Sequence, residues 1–364
     1  MTNARSATSF LVLKGDGIGP EICDATILIL NRIAERLDFE ISFENAPIGF
    51  EALAQHGTTF PDYILEKARA ADGVILGPVS HNEYPPLASG GLNPSGELRK
   101  RLDLYANLRP ALTYENLAAP ARKPFDLLIV RENTEGFYAD RSMFSGPGEM
   151  MPTPDLAIAF RKISRQSCMR IAETAFAQAK LRRQKVTAVH KANVLRVSDG
   201  LFLECTRLVA SRHPEIKYEE QLVDAMAALL IRDASGFDVI VTTNMYGDIL
   251  SDEASELSGG LGLAASLNLG EGIAVAQAQH GSAPSLAGTG RANPTSLILS
   301  AAMLLEWLGA NTQVPAYAQG AKMITDAVKS ALSDPETRTK DLGGPLCTQE
   351  FANRLSHTIK HHST

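Results

Sequence analysis

Asp248 and Asp252 stand four residues apart in the stretch Asp248-Ile-Leu-Ser-Asp252. If Asp248 begins a helix, both carboxylates project from one face. Like charges at that spacing repel unless a cation sits between them, and their oxygens suit a hard divalent ion such as Mg²⁺ or Mn²⁺. The alternative is that Asp248 caps the helix and Asp252 is merely solvated; spacing alone leaves both open. Three arginines form a second set: Arg99 on an expected helix, Arg109 at the end of the extended run Tyr105–Leu108, and Arg131 just after the apolar run Leu127–Val130. Guanidinium groups at strand ends are well placed for a carboxylate or phosphate ligand, though each alone reads as an ordinary surface arginine. Lys191, in His190-Lys191-Ala192-Asn193, follows the run Val186–Val189. Buried or near other cations it could serve as a general base; alone it is a solvated loop lysine. Tyr138 reads first as a packing aromatic.

These side chains need elements to hold them. Phe10–Leu13, Gly73–Leu76, Leu127–Val130, Val186–Val189 and Val239–Val241 are short apolar runs with the character of buried strands. Helical patterns lie between them over Ile163–Lys180, Gly200–Ser211 and Leu222–Ala234. Asn93-Pro94 supplies an N-cap and a first-turn proline for a further helix. Gly15-x-Gly17-x-Gly19 after the first strand suggests a dinucleotide turn, but Pro20 stands where that fingerprint departs, and a tight strand-to-helix turn is the better reading. Strand and helix alternate, which predicts an α/β protein with much parallel sheet. From Asp248 onward the chain reads as mostly helical, broken by a glycine-rich stretch at Gly259–Gly290. Lys180, Arg182, Arg183 and Lys185 read as cations closing a helix. His357, His361 and His362 have metal-like spacing at a terminus expected to fray, and neither set is assigned a function.

Composition narrows the classes. The 364 residues carry 35 Lys plus Arg against 41 Asp plus Glu, a net charge of -6, which argues against a nucleic-acid binder. Cys23, Cys168, Cys205 and Cys347 form no CxxC pair. Met1–Phe10 lacks the apolar core of a signal peptide, and Leu297–Leu308 is too short to span a bilayer and carries Glu306. The expectation is a cytoplasmic protein with no membrane partner.

Taken together, the segments GDGIGPEI, RLDLYANLRPA, VRENTEGFY, HKANVLR, NMYGDILSDEAS, GGLGLAASLNLG and HGSAP…NP resemble the metal-dependent β-decarboxylating dehydrogenases, the isocitrate/isopropylmalate dehydrogenase family. The resemblance runs from Leu13 to Asp341–Gly344. It implies an α/β fold of two domains around a mixed, mostly parallel sheet, and not a Rossmann fold despite the glycines. A large cofactor-side domain (1–104 with 257–364) would enclose a small inserted domain (105–256) carrying the dimer interface. It further implies that Arg99, Arg109 and Arg131, with Ser95, bind substrate. Tyr138 would be the general acid and Lys191 the base. Asp224, Asp248 and Asp252 would hold Mg²⁺ or Mn²⁺, with Lys191 and Asp224 contributed by the partner of a homodimer. Asn193, His280, Gly281, Ser282, Ala283, Pro284, Ser285, Leu286 and Asn293 would contact NAD, or NADP. The implied reaction is oxidative decarboxylation of a 3-substituted (R)-malate-type hydroxy acid.

Departures from the family bear on the substrate. Isopropylmalate enzymes place leucines where this chain has Ser95 and Gly96, which cannot bury a branched alkyl group. This favours an isocitrate-like substrate over 3-isopropylmalate, homoisocitrate or D-malate/tartrate. Ser80–Leu92 follows none of the branches. Ser285 replaces an aspartate usual in NAD-dependent members, while Leu286 and Ala292 resemble the NAD type and Arg291 could attract a phosphate. Gln277 replaces a common glutamate. A non-catalytic subunit of the same fold is the rival reading, against which the retained lysine, tyrosine and aspartates count.

Overall fold

A computed structural model describes residues 7–138 and 148–361. The strands are β1 (Thr8–Leu13), β2 (Ile41–Asn45), β3 (Gly73–Leu76), β4 (Ala106–Leu112), β5 (Asp126–Glu132), β6 (Glu149–Thr153), β7 (Leu156–Ala159), β8 (Lys185–His190), β9 (Lys217–Leu222), β10 (Val239–Thr242), β11 (Leu267–Gly270) and β12 (Ile273–Gln277). The helices are α1 (Gly19–Leu37), α2 (Phe50–His56), α3 (Tyr63–Ala70), α4 (Pro94–Arg101), α5 (Arg165–Lys180), α6 (Ser198–Ala210), α7 (Val223–Asp233), α8 (Asn244–Ser258), α9 (Thr295–Thr312), α10 (Pro315–Ser333) and α11 (Thr348–His361). Among the described residues, ten strands form one sheet in the order β2-β1-β3-β12-β11-β4-β5-β10-β8-β9, and β6 and β7 pair as a separate hairpin.

The pairing is parallel on both flanks and antiparallel at the centre, where β12, β11, β4 and β5 run alternately. The strand order is segregated by sequence. One half of the sheet is drawn from residues before 104 and after 257, the other from the stretch between. The apolar runs read from sequence are central strands buried on both faces, which is why they show no alternation: β3 and β10 are buried throughout. Helices α1, α9, α10 and α11 cover the terminal half, and α5 and α6 the other.

Local chemistry fixes the ends that matter. Asn93 caps α4, accepting from the Gly96 N–H at 3.2 Å, and Pro94 enters the first turn. The glycine turn before α1 is tight because its own chain fills it. A Cβ on Gly17 would lie 2.0 Å from the Ser282 carbonyl oxygen, and one on Gly15 2.1 Å from that of Pro78. The turn is therefore a backbone junction rather than a phosphate cradle.

Three expectations are corrected. The glycine-rich stretch holds the hairpin β11–β12, turned at Glu271-Gly272 with Gly272 in the left-handed region. The C-terminal segment is helical as far as His361, with the His357 and His361 rings 4.4 Å apart and tilted at 46°; His362 lies outside the described residues. The basic run does more than close α5. Arg182 Nε donates to the buried Asp238 at 2.8 Å, the Arg183 N–H donates to the other carboxylate oxygen at 2.8 Å, and Arg183 Nη2 donates to the Phe237 carbonyl at 2.6 Å. These bonds tie the end of α5 to the start of β10. Asp238→Ala should cost about 3 kcal/mol by leaving Arg182 and a backbone N–H without their acceptor. Urea unfolding measures this, and a change under about 1 kcal/mol would refute the assignment.

Candidate active site

A cleft of about 310 Å³ opens between the two halves of the sheet. Its walls bring together Ser95 and Arg99 from α4, Arg109 from β4, Arg131 from β5, Tyr138, Asp248 from α8, and His280 and Gly281 beyond β12. A larger cavity of about 640 Å³ between β4, α9 and α10 collects none of these residues. Charges on its rim pair with each other, Arg182 with Asp126 and Lys322 with Asp326.

The centre of the site is the Asp248 carboxylate. Arg109 Nη1 donates to its Oδ1 at 3.1 Å, Arg131 Nη1 donates to the same oxygen, and the Tyr138 hydroxyl donates to Oδ2 at 3.2 Å. Both arginines are nearly inaccessible, Arg109 at 6% and Arg131 at 2%. Each is braced by an amide: Arg109 Nε donates to Asn107 Oδ1 at 2.5 Å, and Arg131 Nε and Nη2 donate to Asn244 Oδ1 at 3.1 and 2.7 Å. Gly247 makes this possible, since a Cβ there would lie 2.6 Å from Arg131 Cγ. A glycine inside a helix costs about 1 kcal/mol, and here it lets α8 lie directly on a buried guanidinium.

Burial alone would raise the Asp248 carboxyl, but Arg131, Arg109 and Arg99 together hold it below the ordinary carboxylate range. Arg109 is lowered to about 10, first by burial and then by Arg131 beside it, with Asp248 and Asp252 opposing the shift. His280 is lowered by burial and stays neutral at pH 7.

The sequence placed some of these groups slightly wrongly. The residues Asn244–Gly247 form the first turn of α8, so Asp248 lies in the second turn and is not its cap. Asp248 and Asp252 do share a face, and both receive Arg109, at 3.1 and 3.4 Å. Arg109 sits in the middle of β4 and Arg131 within β5, not beyond the strand ends. Ser95 Oγ donates to Gln277 Oε1 at 3.1 Å, with Arg99 Nη2 at 3.5 Å from the same oxygen. Sequence reading overlooked His81, Ser251 and Gln279. His81 lines the cleft, the Ser251 hydroxyl accepts from Arg109 at 2.7 Å, and Gln279 donates to Asp252 at 2.7 Å. No local pattern distinguishes them from surface polar residues.

Other expected site residues lie outside this cleft. Lys191 Nζ donates to Asp224 Oδ1 at 2.5 Å, and this pair holds the exposed Asp224 carboxyl below its usual range. Asn193 is exposed on the same turn as Lys191. Of the expected cofactor loop, His280 and Gly281 face the cleft. Ser282 is buried, its hydroxyl 2.7 Å from that of Ser80; Pro284 and Ser285 are exposed, while Ala283 and Leu286 are half-buried against the main core. Asn293 is buried and donates to Asp341 at 3.0 Å. Asp248 in the cleft lining and Asp252 one turn along α8 are hard oxygen donors of the kind Mg²⁺ or Mn²⁺ takes. Among the described residues no group of three or more His, Cys, Asp or Glu side chains converges.

The Asp248 linkage has a definite sign. A carboxyl depressed by folding adds stability above its unfolded pKa, and that stability is lost as pH falls through the folded value. Arg131→Met should therefore raise the Asp248 titration and lower stability at pH 7 by about 2 kcal/mol, discounted because Asp248 keeps some contact with water. Carboxyl-labelled NMR titration reads the first effect, and an unmoved Asp248 would refute the cause given for its shift.

Comparison with known proteins gives the family. The family model described as isocitrate/isopropylmalate dehydrogenase matches residues 9–355. The chain is 41% identical to the 3-isopropylmalate dehydrogenase of Archaeoglobus fulgidus over 96% of this chain and 98% of that protein. It is also 41% identical to the homoisocitrate dehydrogenase of Methanocaldococcus jannaschii, over 96% and 97%. The crystal structure of isocitrate dehydrogenase from Methylococcus capsulatus superposes with a TM-score of 0.85 at 36% identity, covering 97% of this chain and all of that one. The chain thus belongs to the isocitrate/isopropylmalate dehydrogenase family, and is a decarboxylating hydroxy-acid dehydrogenase.

Proposed function

We propose that the cleft oxidises and decarboxylates a 3-substituted (R)-malate-type acid, with an isocitrate-like substrate preferred and NAD as the hydride acceptor. The observation that carries this is the convergence of Arg99, Arg109 and Arg131 on a space whose lining holds one carboxylate, Asp248. The excess positive charge suits a substrate with several carboxylates. Ser95 and Gln277 give the wall beside Arg99 hydrogen-bonding rather than alkyl character. A polar 3-substituent would meet partners there, whereas a branched alkyl group would strand them.

In this reading Asp248 and Asp252, with Asp224 of the partner subunit, hold a divalent cation. When bound, that ion supplies Lewis acidity toward the hydroxyl and carbonyl oxygens of the substrate. His280–Leu286 and Asn293, with Asn193 of the partner subunit, would hold a dinucleotide, which when bound would supply the hydride acceptor. The arginines fix the carboxylates so that the C2–H bond is presented in one orientation. Lys191 takes the hydroxyl proton as hydride leaves C2. The carboxylate on C3 then departs as CO₂, and Tyr138 returns a proton to that carbon.

Assigning Lys191 and Asp224 to a second subunit's site is supported by their surroundings. Val194 and Val197 beside Lys191 are 65% and 87% exposed, and Ile231 on α7 and Ile249 on α8 are also uncovered. The β6–β7 hairpin presents Met150, Met151, Leu156 and Ile158 to solvent. Apolar area of this extent is what a homodimer buries. The segments 1–104 with 257–364 and 105–256 then act as two domains facing each other across the cleft. None of the described helices is long and apolar enough to cross a membrane.

Chelation should abolish NAD⁺ reduction and Mg²⁺ or Mn²⁺ should restore it. In a substrate panel, kcat/KM for isocitrate should exceed that for 3-isopropylmalate by about tenfold or more; the reverse order would overturn the substrate assignment, and a strong NADP⁺ preference would overturn the cofactor choice. Tyr138→Phe and Lys191→Met should each be nearly inactive. Mixing the two should restore about a quarter of native activity, because half of randomly paired dimers would carry one intact site. No recovery on mixing would mean that Lys191 does not serve the opposite subunit.

A further inference from the structure

Gln279 makes a hydrogen bond that crosses the cleft. It lies just beyond β12, in the half of the sheet built from the chain's ends, and immediately before His280. Asp252 lies on α8, in the other half. Gln279 Nε2 donates to Asp252 Oδ1 at 2.7 Å and lies 3.3 Å from Ser255 Oγ, three residues further along the same helix. The amide orientation is set by charge, since reversing it would press a carbonyl oxygen against a carboxylate. Asp252 needs such a partner. Its side chain is 54% exposed, and its other contact, Arg109 Nη1 at 3.4 Å, is long. Without Gln279, little would select one rotamer of that carboxylate.

The other end of the amide is also informative. Gln279 Oε1 is buried without a hydrogen-bond partner, while Gln279 itself lines the cleft. A buried carbonyl oxygen left without a donor is destabilising, so the amide is held in this position by its Nε2 bond to Asp252 against that cost.

We propose that Gln279 is a positioning residue for Asp252: it orients the carboxylate toward the cation before the cation arrives, and does so from the opposite wall of the cleft. This rests on the reading of Asp252 as a cation ligand, and the test separates the two claims. Mn²⁺ binding to the full-length protein, followed by electron paramagnetic resonance without substrate, should weaken about tenfold in Gln279→Met, as outer partners of metal ligands typically do. Gln279→Asn, whose shorter amide cannot reach α8, should show the same loss. Asp252→Asn should weaken binding further, and adding Gln279→Met to it should cost nothing more, because the amide acts only through that carboxylate. In steady-state assays, the Mn²⁺ concentration for half-maximal rate should rise by the same factor in the single Gln279 variants. If both bind Mn²⁺ within about twofold of native while Asp252→Asn does not, the positioning role is wrong. If Asp252→Asn itself binds normally, the cation assignment falls, and this inference with it.

Discussion

A buried guanidinium is tolerable only beside a counter-charge, and two of them here share the Asp248 carboxylate, with only a longer 3.4 Å contact from Arg109 to Asp252 beside it. Arg109 and Arg131 are both nearly sealed from water and both donate to Asp248 Oδ1. Removing an arginine from water costs several kcal/mol, which the pairing must offset. Asp248 can satisfy part of two such ions but not neutralise both. The cleft therefore keeps surplus positive charge in a partly desolvated space, where an anionic ligand interacts more strongly than it would in water. The features around Asp248 follow from this arrangement. Asn107 and Asn244 satisfy the N–H groups that a carboxylate cannot reach, and Gly247 removes the methyl that would hold α8 off Arg131.

That arrangement also explains where the sequence was legible and where it was not. The Asn93-Pro94 start of α4 and the apolar strand β3 were readable because a few adjacent residues determine them. The start of α8 was not. Asn244-Met245-Tyr246-Gly247 has the look of a loop because glycine is a poor helix former, but the glycine answers to Arg131, more than a hundred residues earlier in the chain. Tertiary contact overrode local propensity there. The hairpin β11–β12 was hidden for a related reason. Its strands are short, and they are stabilised by pairing with β4 and β3, which sequence order does not reveal.

The candidate residues were legible by type, but their grouping required three dimensions. Carboxylates one helical turn apart on α8 can be seen in a sequence; that Arg109 reaches both of them cannot. Gln279 shows the limit most clearly. A glutamine between an alanine and a histidine carries no pattern, and its significance lies entirely in the 2.7 Å contact with a helix from the opposite half of the sheet.

The joint between the halves must hold the arginines at a fixed angle, and its composition fits that task. β4 meets β11 over Ala106–Leu108 only. Pro110 has no N–H to donate, so the ladder cannot be extended through it. Such a short contact would be prone to slip if it were purely apolar. It is instead pinned by amides: Asn107 Nδ2 donates to Ser266 Oγ at 2.8 Å, and Asn133 Nδ2 donates to Asn268 Oδ1 at 3.0 Å. Buried polar groups of this kind penalise any register in which they lose their partners. The penalty matters because Asn107 and Arg109 are two residues apart on one face of β4. A slip of a single residue would turn both to the opposite face, carrying Arg109 away from Asp248 and Asp252. The polar joint thus sets the strand register on which the charge cluster depends.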